Sequence, residues 1–180
     1  MELTVDRIES QDELYRRAAG EFAATIARIA SAYEADPELR RDLLQEIQMA
    51  LWRSLGNFGG RCSLRTWVYR VAHNIATSHV IRQQRIYSRL VSLEQVDSVA
   101  VTPEDEFGLD RRMARERLFL LIQRLKPVDR QVILSCLEGM DAAAIGEITG
   151  ISPAAVAMKI HRVKSILARR LSKGGGHDAR

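Results

Sequence analysis

Apolar residues recur along this chain at intervals of three and four, the spacing that places side chains on one face of a helix. Over residues 11–33, Leu14, Ala18, Phe22, Ile26, Ile29 and Tyr33 share such a face, while Arg16, Arg17, Glu21 and Arg28 lie elsewhere. The pattern predicts an amphipathic helix. Asp36-Pro37-Glu38 then supplies a capping side chain, a proline suited to a first turn and an acid against the positive end of the helix dipole. The helix it opens is predicted to reach about residue 55. Leu39, Leu43, Ile47 and Leu51 can fill a core, which leaves Leu44, Met49 and Trp52 interleaved with Asp42, Gln45, Glu46 and Gln48. That surplus fits either a surface for a partner protein or a helix buried on two sides within its own domain.

Gly56-Asn57-Phe58-Gly59-Gly60 breaks this helix, and Ser63 caps a third that runs from 64 to about 87. Trp67, Val71, Ile75 and Val80 are its apolar positions; Arg61, Arg65, Arg70, His73, Asn74, His79, Arg82 and Arg85 are basic or hydrogen-bonding. From Ser88 the texture changes. Residues 88–102 show no helical period, and from 90 through 110 Lys and Arg vanish while Glu94, Asp97, Glu104, Asp105, Glu106 and Asp110 accumulate. This reads as a flexible acidic linker. At ~3.3 Å per residue it reaches ~50 Å, far enough for two small domains to touch one DNA duplex at separate places. Thr102-Pro103-Glu104-Asp105 opens another helix through Met113, Leu118, Leu121, Ile122 and Leu125, ended by Lys126-Pro127. Pro127 starts one that carries Val128, Val132, Ile133, Cys136 and Leu137 and stops near Gly139.

The most informative stretch is 141–171, two helices joined by the turn Gly150-Ile151-Ser152. Gly150 can take the left-handed conformation that ends a helix, Ser152 can cap the next, and Pro153 suits its first position. Val156, Ile160, Val163, Leu167 and Leu171 form the inward face. Ala155, Met158, Lys159, Arg162 and Arg169 lie opposite, flanked by His161 and Lys164. Gly146, between Ile145 and Ile148, lets the helices cross closely. This is the layout of a helix-turn-helix, whose second helix enters a DNA major groove. A plain helical hairpin and a merely solvated basic face are the competing readings.

The fold class is therefore all-α: two small helical domains, 1–87 and 103–172, joined by the flexible acidic linker 88–102, with a disordered tail at 173–180. The C-terminal domain contains the helix-turn-helix. A hydrophobic fraction of 46% suffices for packed cores, and a net charge of +4 with a pI near 9.4 is compatible with nucleic acid without demanding it. The distribution says more. No acid occurs between Asn57 and Leu93, which weakens the reading of those arginines as a solvated face. Aromatics beside arginines suit nucleic acid, because phosphates attract cations and unstacked bases stack on flat partners. For Trp67 ordinary core is the preferred reading. No apolar run has the length of a membrane span, and residues 1–10 are acidic and mixed, so a cytoplasmic location is expected. Cys62 and Cys136 lack a CxxC or ligand cluster and read as reduced thiols. His73, His79, His161 and His177 are scattered, and there is no Gly-rich phosphate loop and no nucleophile beside a base. Neither an enzyme, a metal nor a cofactor is expected.

Three blocks carry a resemblance: DLLQEIQMALW (42–52), FGGRCSLRTWVYRVAHNIA (58–76), and RLKPVDRQVILSCLEGM with IGEITGISPAAVAMKIHRVK (124–164). In this order, over roughly 15–171, the chain resembles bacterial RNA polymerase sigma factors of the extracytoplasmic-function group. The resemblance implies a subunit that binds core RNA polymerase and directs promoter-specific initiation, with an anti-sigma factor as a candidate regulator. It implies that Asp42, Leu43, Gln45, Glu46, Ile47 and Leu51 meet the polymerase clamp helices. It implies that the loop with Asn57, Phe58, Arg61, Ser63 and Arg65 pockets a base flipped from the downstream promoter element, a step that costs a few kcal/mol. Trp67, Arg70, His73, Asn74 and His79 would lie along the melting helix. Ala155, Ala157, Met158, Lys159, His161 and Arg162 would face the upstream element. Ala155, Ala157 and Met158 depart from the Thr, basic residue and Ser more usual in the family, which implies upstream recognition that is weak, dependent on apolar contact with thymine methyls, or assisted by an activator. The charged stretch 34–41 is also longer than the family pattern. A stand-alone helix-turn-helix repressor or activator is the alternative function; it accounts for the last two helices but not for the acid-free stretch around Trp67.

Overall fold

A computed structural model of the protein describes residues 10–91 and 110–172, and all regular structure among them is helical. Helix α1 is Gln11–Tyr33, α2 Pro37–Leu55 and α3 Leu64–Val91. A capping box starts α1: the Glu13 amide donates to Ser10 Oγ at 3.2 Å while the Ser10 amide donates to the Glu13 carboxylate at 2.8 Å. Asp36 starts α2 by accepting from the amides of Glu38 and Leu39 at 2.8 and 3.0 Å. The three helices enclose Phe22, Ile26, Ile29, Leu43, Ile47, Leu51, Val68, Tyr69 and Ala72. Each large side chain buried there contributes roughly 1.5–3 kcal/mol of transfer free energy.

The second unit comprises α4 (Asp110–Gln123), α5 (Pro127–Leu137), α6 (Ala142–Thr149) and α7 (Pro153–Ser172). Its core is Ile122, Val132, Ile133, Ile145, Val156 and Val163. Arg130 is buried in it, with its guanidinium 4.6 Å over the Tyr33 ring. Its Nη2 donates to the carbonyls of Gln123 and Leu125, so a side chain of α5 satisfies acceptors left open at the end of α4.

Several boundaries move. Residues 88–91 belong to α3 rather than to a linker, and α4 ends at Gln123, before the expected Lys126-Pro127 stop. The remainder of the linker, the Thr102-Pro103 helix start and the tail 173–180 lie outside the described residues. Leu39 is exposed instead of core, because it sits in the first turn of α2, and Leu55 at the far end is buried.

The two units also pack directly on one another, α3 against α5 and α6, and α1 against α4. Gln123 donates to the Ser31 carbonyl at 2.8 Å, and Gln131 to Thr77 Oγ1 at 3.4 Å. Their buried residues form one continuous hydrophobic cluster.

Candidate functional site

Gly150 adopts φ 75°, the left-handed region a side chain disfavours, and its amide donates to the Gly146 carbonyl at 2.8 Å. Ser152 Oγ accepts from the Ala155 amide at 3.3 Å and so caps α7. The reason for Gly146 is more local than helix crossing: a Cβ there would stand 2.8 Å from the backbone oxygen of Ile151 in the turn itself. Along α7, Val156 and Val163 are fully buried and Ile160 is half-buried. Ala157, Met158, His161 and Arg162 are exposed, with Met158 at 73%. Ala155 is half-buried. Lys159 Nζ donates to Asp129 Oδ1 and Arg162 Nη2 to Asp129 Oδ2, both at 2.7 Å. Asp129 is itself buried near the start of α5.

On α2, Asp42 and Gln45 are exposed, and Glu46 accepts from Arg82 Nη2 with both oxygens, at 2.7 and 2.9 Å. Met49 is 50% exposed and Trp52 45%. With Tyr15, Gln45, Gln48 and Arg53 they line an open hollow of about 460 Å³. Two bonds from α1 brace its rim: Trp52 Nε1 donates to Asp12 at 2.9 Å, and Gln11 Nε2 donates to the Trp52 carbonyl at 2.7 Å.

In the loop before α3, Asn57 and Arg61 face solvent. Phe58 packs edge-on against Trp67, with centroids 5.4 Å apart, and Trp67 Nε1 donates to Ser54 Oγ at 3.0 Å; both rings are half-buried. Ser63 Oγ accepts from the Thr66 amide at 3.0 Å, the cap its position predicts. Further along, Asn74 is exposed, but His79 is buried, with Nε2 3.0 Å from Glu34. His73 has no exposure at all. Its Nδ1 lies 3.2 Å from Tyr33 Oη and its Nε2 3.5 Å from Ser135 Oγ, and burial pushes its pKa down to about 3, so the ring is neutral. Burial likewise pushes the Tyr33 hydroxyl up to about 12.

Two arginines of α3 reach the second unit. Arg65 Nη2 donates to the Glu138 carbonyl, and Arg70 Nη2 to the Glu147 carbonyl at 2.7 Å. Glu138 also gathers side chains from the first unit. Its Oε1 accepts from Arg28 Nε at 2.5 Å, and its Oε2 from Arg28 Nη2 at 2.7 Å and from Thr25 Oγ1 and Tyr69 Oη at 3.3 Å each. The Arg28 hydrogen bonds hold the Glu138 carboxyl below the usual carboxylate range despite its partial burial, and hold the guanidinium pKa up in return.

Comparison with known proteins decides what this arrangement belongs to. Residues 19–86 match the Sigma-70 region 2 family and residues 115–167 the Sigma-70 region 4 family, in that order along the chain. RNA polymerase sigma factor CarQ of Myxococcus xanthus is 29% identical over 84% of this chain and 83% of its own length. SigX of Bacillus subtilis, an extracytoplasmic-function sigma factor, is 25% identical over 76% of this chain and 72% of its own length. The sigma-E factor of Escherichia coli, of the same group, is 22% identical over 84% of this chain and 78% of its length. The chain belongs to the extracytoplasmic-function sigma factors. Two solved structures share its fold at 18% identity and a TM-score of 0.65. They are CnrH in complex with the cytosolic domain of CnrY, covering 91% of this chain and 90% of that one, and RpoE of Bartonella quintana with the anti-sigma factor NepR, covering 91% and 98%.

The geometry corrects several residue expectations for this sigma factor. Leu43, Ile47 and Leu51 are buried and anchor α2 in the core; the outward large apolar residues on its middle and last turns are Met49 and Trp52. His73 and His79 are core residues rather than part of an exposed face, because α1 and α5 close over that side of α3. Lys159 is turned onto Asp129. Ser63 serves the cap. Arg28, Asp129 and Glu138 were not singled out as site residues; an acid before a helix-ending glycine is the one local sign Glu138 offered.

Proposed function

We propose that this sigma factor is a dissociable initiation subunit that binds core RNA polymerase and directs promoter-specific transcription, with no bond chemistry of its own. The reading rests above all on the succession of region 2 and region 4 sequences in one chain. The outward face of α2, with Asp42, Gln45, Glu46, Met49 and Trp52, is assigned to the polymerase clamp helices, since it pairs exposed large apolar side chains with polar neighbours. Asn57, Phe58, Arg61, Arg65, Arg70 and Asn74 are assigned to the downstream promoter element. Ala157, Met158, His161 and Arg162 are assigned to the upstream one. The site of action is the cytoplasm; among the described residues no single helix is long and apolar enough to cross a membrane. By analogy with the two solved complexes, an anti-sigma partner is assigned to the helical surfaces.

The test is transcription in vitro with core polymerase on a library of genomic fragments, beside Asp42→Arg with Glu46→Arg. The wild-type chain is expected to start transcripts at a discrete set of promoters, and the double variant to lose core binding while remaining helical. Sequence-specific DNA binding without any affinity for core polymerase would identify a stand-alone regulator instead.

A further inference from the structure

Trp52 of α2 is fixed from two sides by the first turn of α1. Its indole Nε1 donates to Asp12 Oδ1 at 2.9 Å and its carbonyl accepts from Gln11 Nε2 at 2.7 Å, across 40 and 41 residues of chain. The two contacts have different reasons. The Trp52 carbonyl is one of the last four of α2, which helix geometry leaves short of partners, and Gln11 supplies one. A Cβ at Gly56 would stand 3.0 Å from Gln11 Oε1, so glycine at the end of α2 leaves that amide its place. The indole contact answers no such need in the free chain. Trp52 is 45% exposed, so water can serve its N–H, and Asp12, exposed in the first turn of α1, would favour the helix dipole without touching the ring. What the contact adds is a fixed ring orientation. Held this way, the indole forms one wall of the hollow that Tyr15 and Met49 complete and that Gln45, Gln48 and Arg53 border.

We propose that Asp12 is a positioning residue for polymerase binding: it holds Trp52 preformed as the anchor beside which an apolar side chain of the clamp helices seats, and Gln11 supports the same placement through the backbone. The proposal rests on the assignment of the outward face of α2 to core polymerase. Two effects make the Asp12 bond matter more in the complex than in the free chain. A side chain that is already ordered loses less freedom on association. When the partner covers the ring, the indole N–H is stripped of water, and Asp12 keeps it paired where an orphaned donor would weaken binding. The polar residues bordering the hollow then exclude water around the anchor, as at an interface hot spot. Asp12 acts on polymerase affinity through Trp52, so the support of the α2 surface reaches into the first turn of α1.

The experiment measures the affinity of the full chain for core polymerase in a double-mutant cycle. Asp12→Ala is expected to weaken binding about fivefold in the otherwise wild-type chain and to have no effect beside Trp52→Phe, where an apolar ring remains and the donor is gone. Asp12→Asn keeps an acceptor oxygen and removes the charge, and is expected to bind within about twofold of wild type. In isotope-labelled free protein the indole N–H resonance of Trp52 is assigned by its loss in Trp52→Phe. Asp12→Ala is expected to shift that resonance and speed its exchange with water, a change that a role confined to the stability of α1 would not produce. Thermal melts on the same samples are expected to show the exposed Asp12 variants folded. Equal loss from Asp12→Ala in both backgrounds, equal loss from Asp12→Asn and Asp12→Ala, or no loss from Asp12→Ala overturns the positioning role. Undiminished core affinity of Trp52→Ala overturns instead the assignment of α2 beneath it.

Discussion

The carboxylate of Asp129 and the guanidinium of Arg162 meet at 2.7 Å across 33 residues of chain, joining the start of α5 to the recognition helix. The other carboxylate oxygen holds Lys159 at the same distance. Two cations of α7 thus share one buried anion. The Arg162 side chain is 58% exposed, with Nη2 engaged by Asp129; in its proposed role at the upstream element, Nη1 and Nε are the groups that would bond a base.

Arg162→Ala is expected to cost ~1–3 kcal/mol at the preferred upstream element and to flatten preference at one or two positions. Asp129→Asn should act oppositely on affinity, releasing Lys159 and Arg162 to the phosphates. It should strengthen binding to every sequence, steepen the salt dependence by ~0.9 per phosphate gained, and blur discrimination. Titration of the polymerase complex on duplexes varied one base pair at a time, at two salt concentrations, checks both. Uniform weakening by Arg162→Ala with base preference intact would make Arg162 a backbone contact.

On α2, exposed and buried neighbours should separate cleanly. Trp52→Ala and Met49→Ala remove half-open apolar side chains and are expected to weaken core binding by ~1–2 kcal/mol each with little change in melting temperature. Ile47→Ala, at a position with no exposure, should instead destabilise the fold by ~2–5 kcal/mol. Core-binding titrations and thermal melts on the same samples distinguish the two effects.

Gly146→Ala sets two effects against each other. Alanine gains ~1 kcal/mol of helix propensity. Its Cβ, however, would lie 2.8 Å from the Ile151 carbonyl, a backbone atom fixed by the turn, and overpacking of that kind costs ~1–3 kcal/mol. Net destabilisation is expected, read as a lower denaturant midpoint at constant slope.

His73 gives a pH dependence. An unfolded histidine titrates near 6.5, whereas the buried ring titrates at about 3, so between those values the unfolded chain binds the extra proton. The contribution is complete above about pH 6.5 and is lost as pH falls towards 3, at up to ~1.4 kcal/mol per pH unit. Between pH 6.5 and 5 the carboxyl of Glu138, held below its usual range, stays charged. In that window wild-type stability should fall more steeply than that of His73→Phe, by about one proton's worth of slope in urea titrations. Parallel curves would mean that His73 is not buried neutral.

Much of the fold follows from signals that act within a few residues. The apolar period and Ser10 place α1, Asp36-Pro37 places the start of α2, and Gly150, Ser152 and Pro153 place the final turn, because capping and backbone preference involve only neighbours on the chain. The end of α3 at Val91 was not legible, because the helical period in the sequence fades before it. Family pattern assigned residues to expected interfaces but carried no sign of which of their side chains reach a surface. Periodicity marks a polar histidine as outward, yet His73 and His79 are covered once α1, α3 and α5 meet. The pairing of Arg28 with Glu138 spans 110 residues, and that of Asp129 with Arg162 joins separate helices; in neither pair does the sequence around one residue point to the other. The sequence by itself determined which helices form and which turn joins the last two. Only the tertiary structure decided which charges are spent on one another and which remain for a partner, since that depends on how whole helices approach.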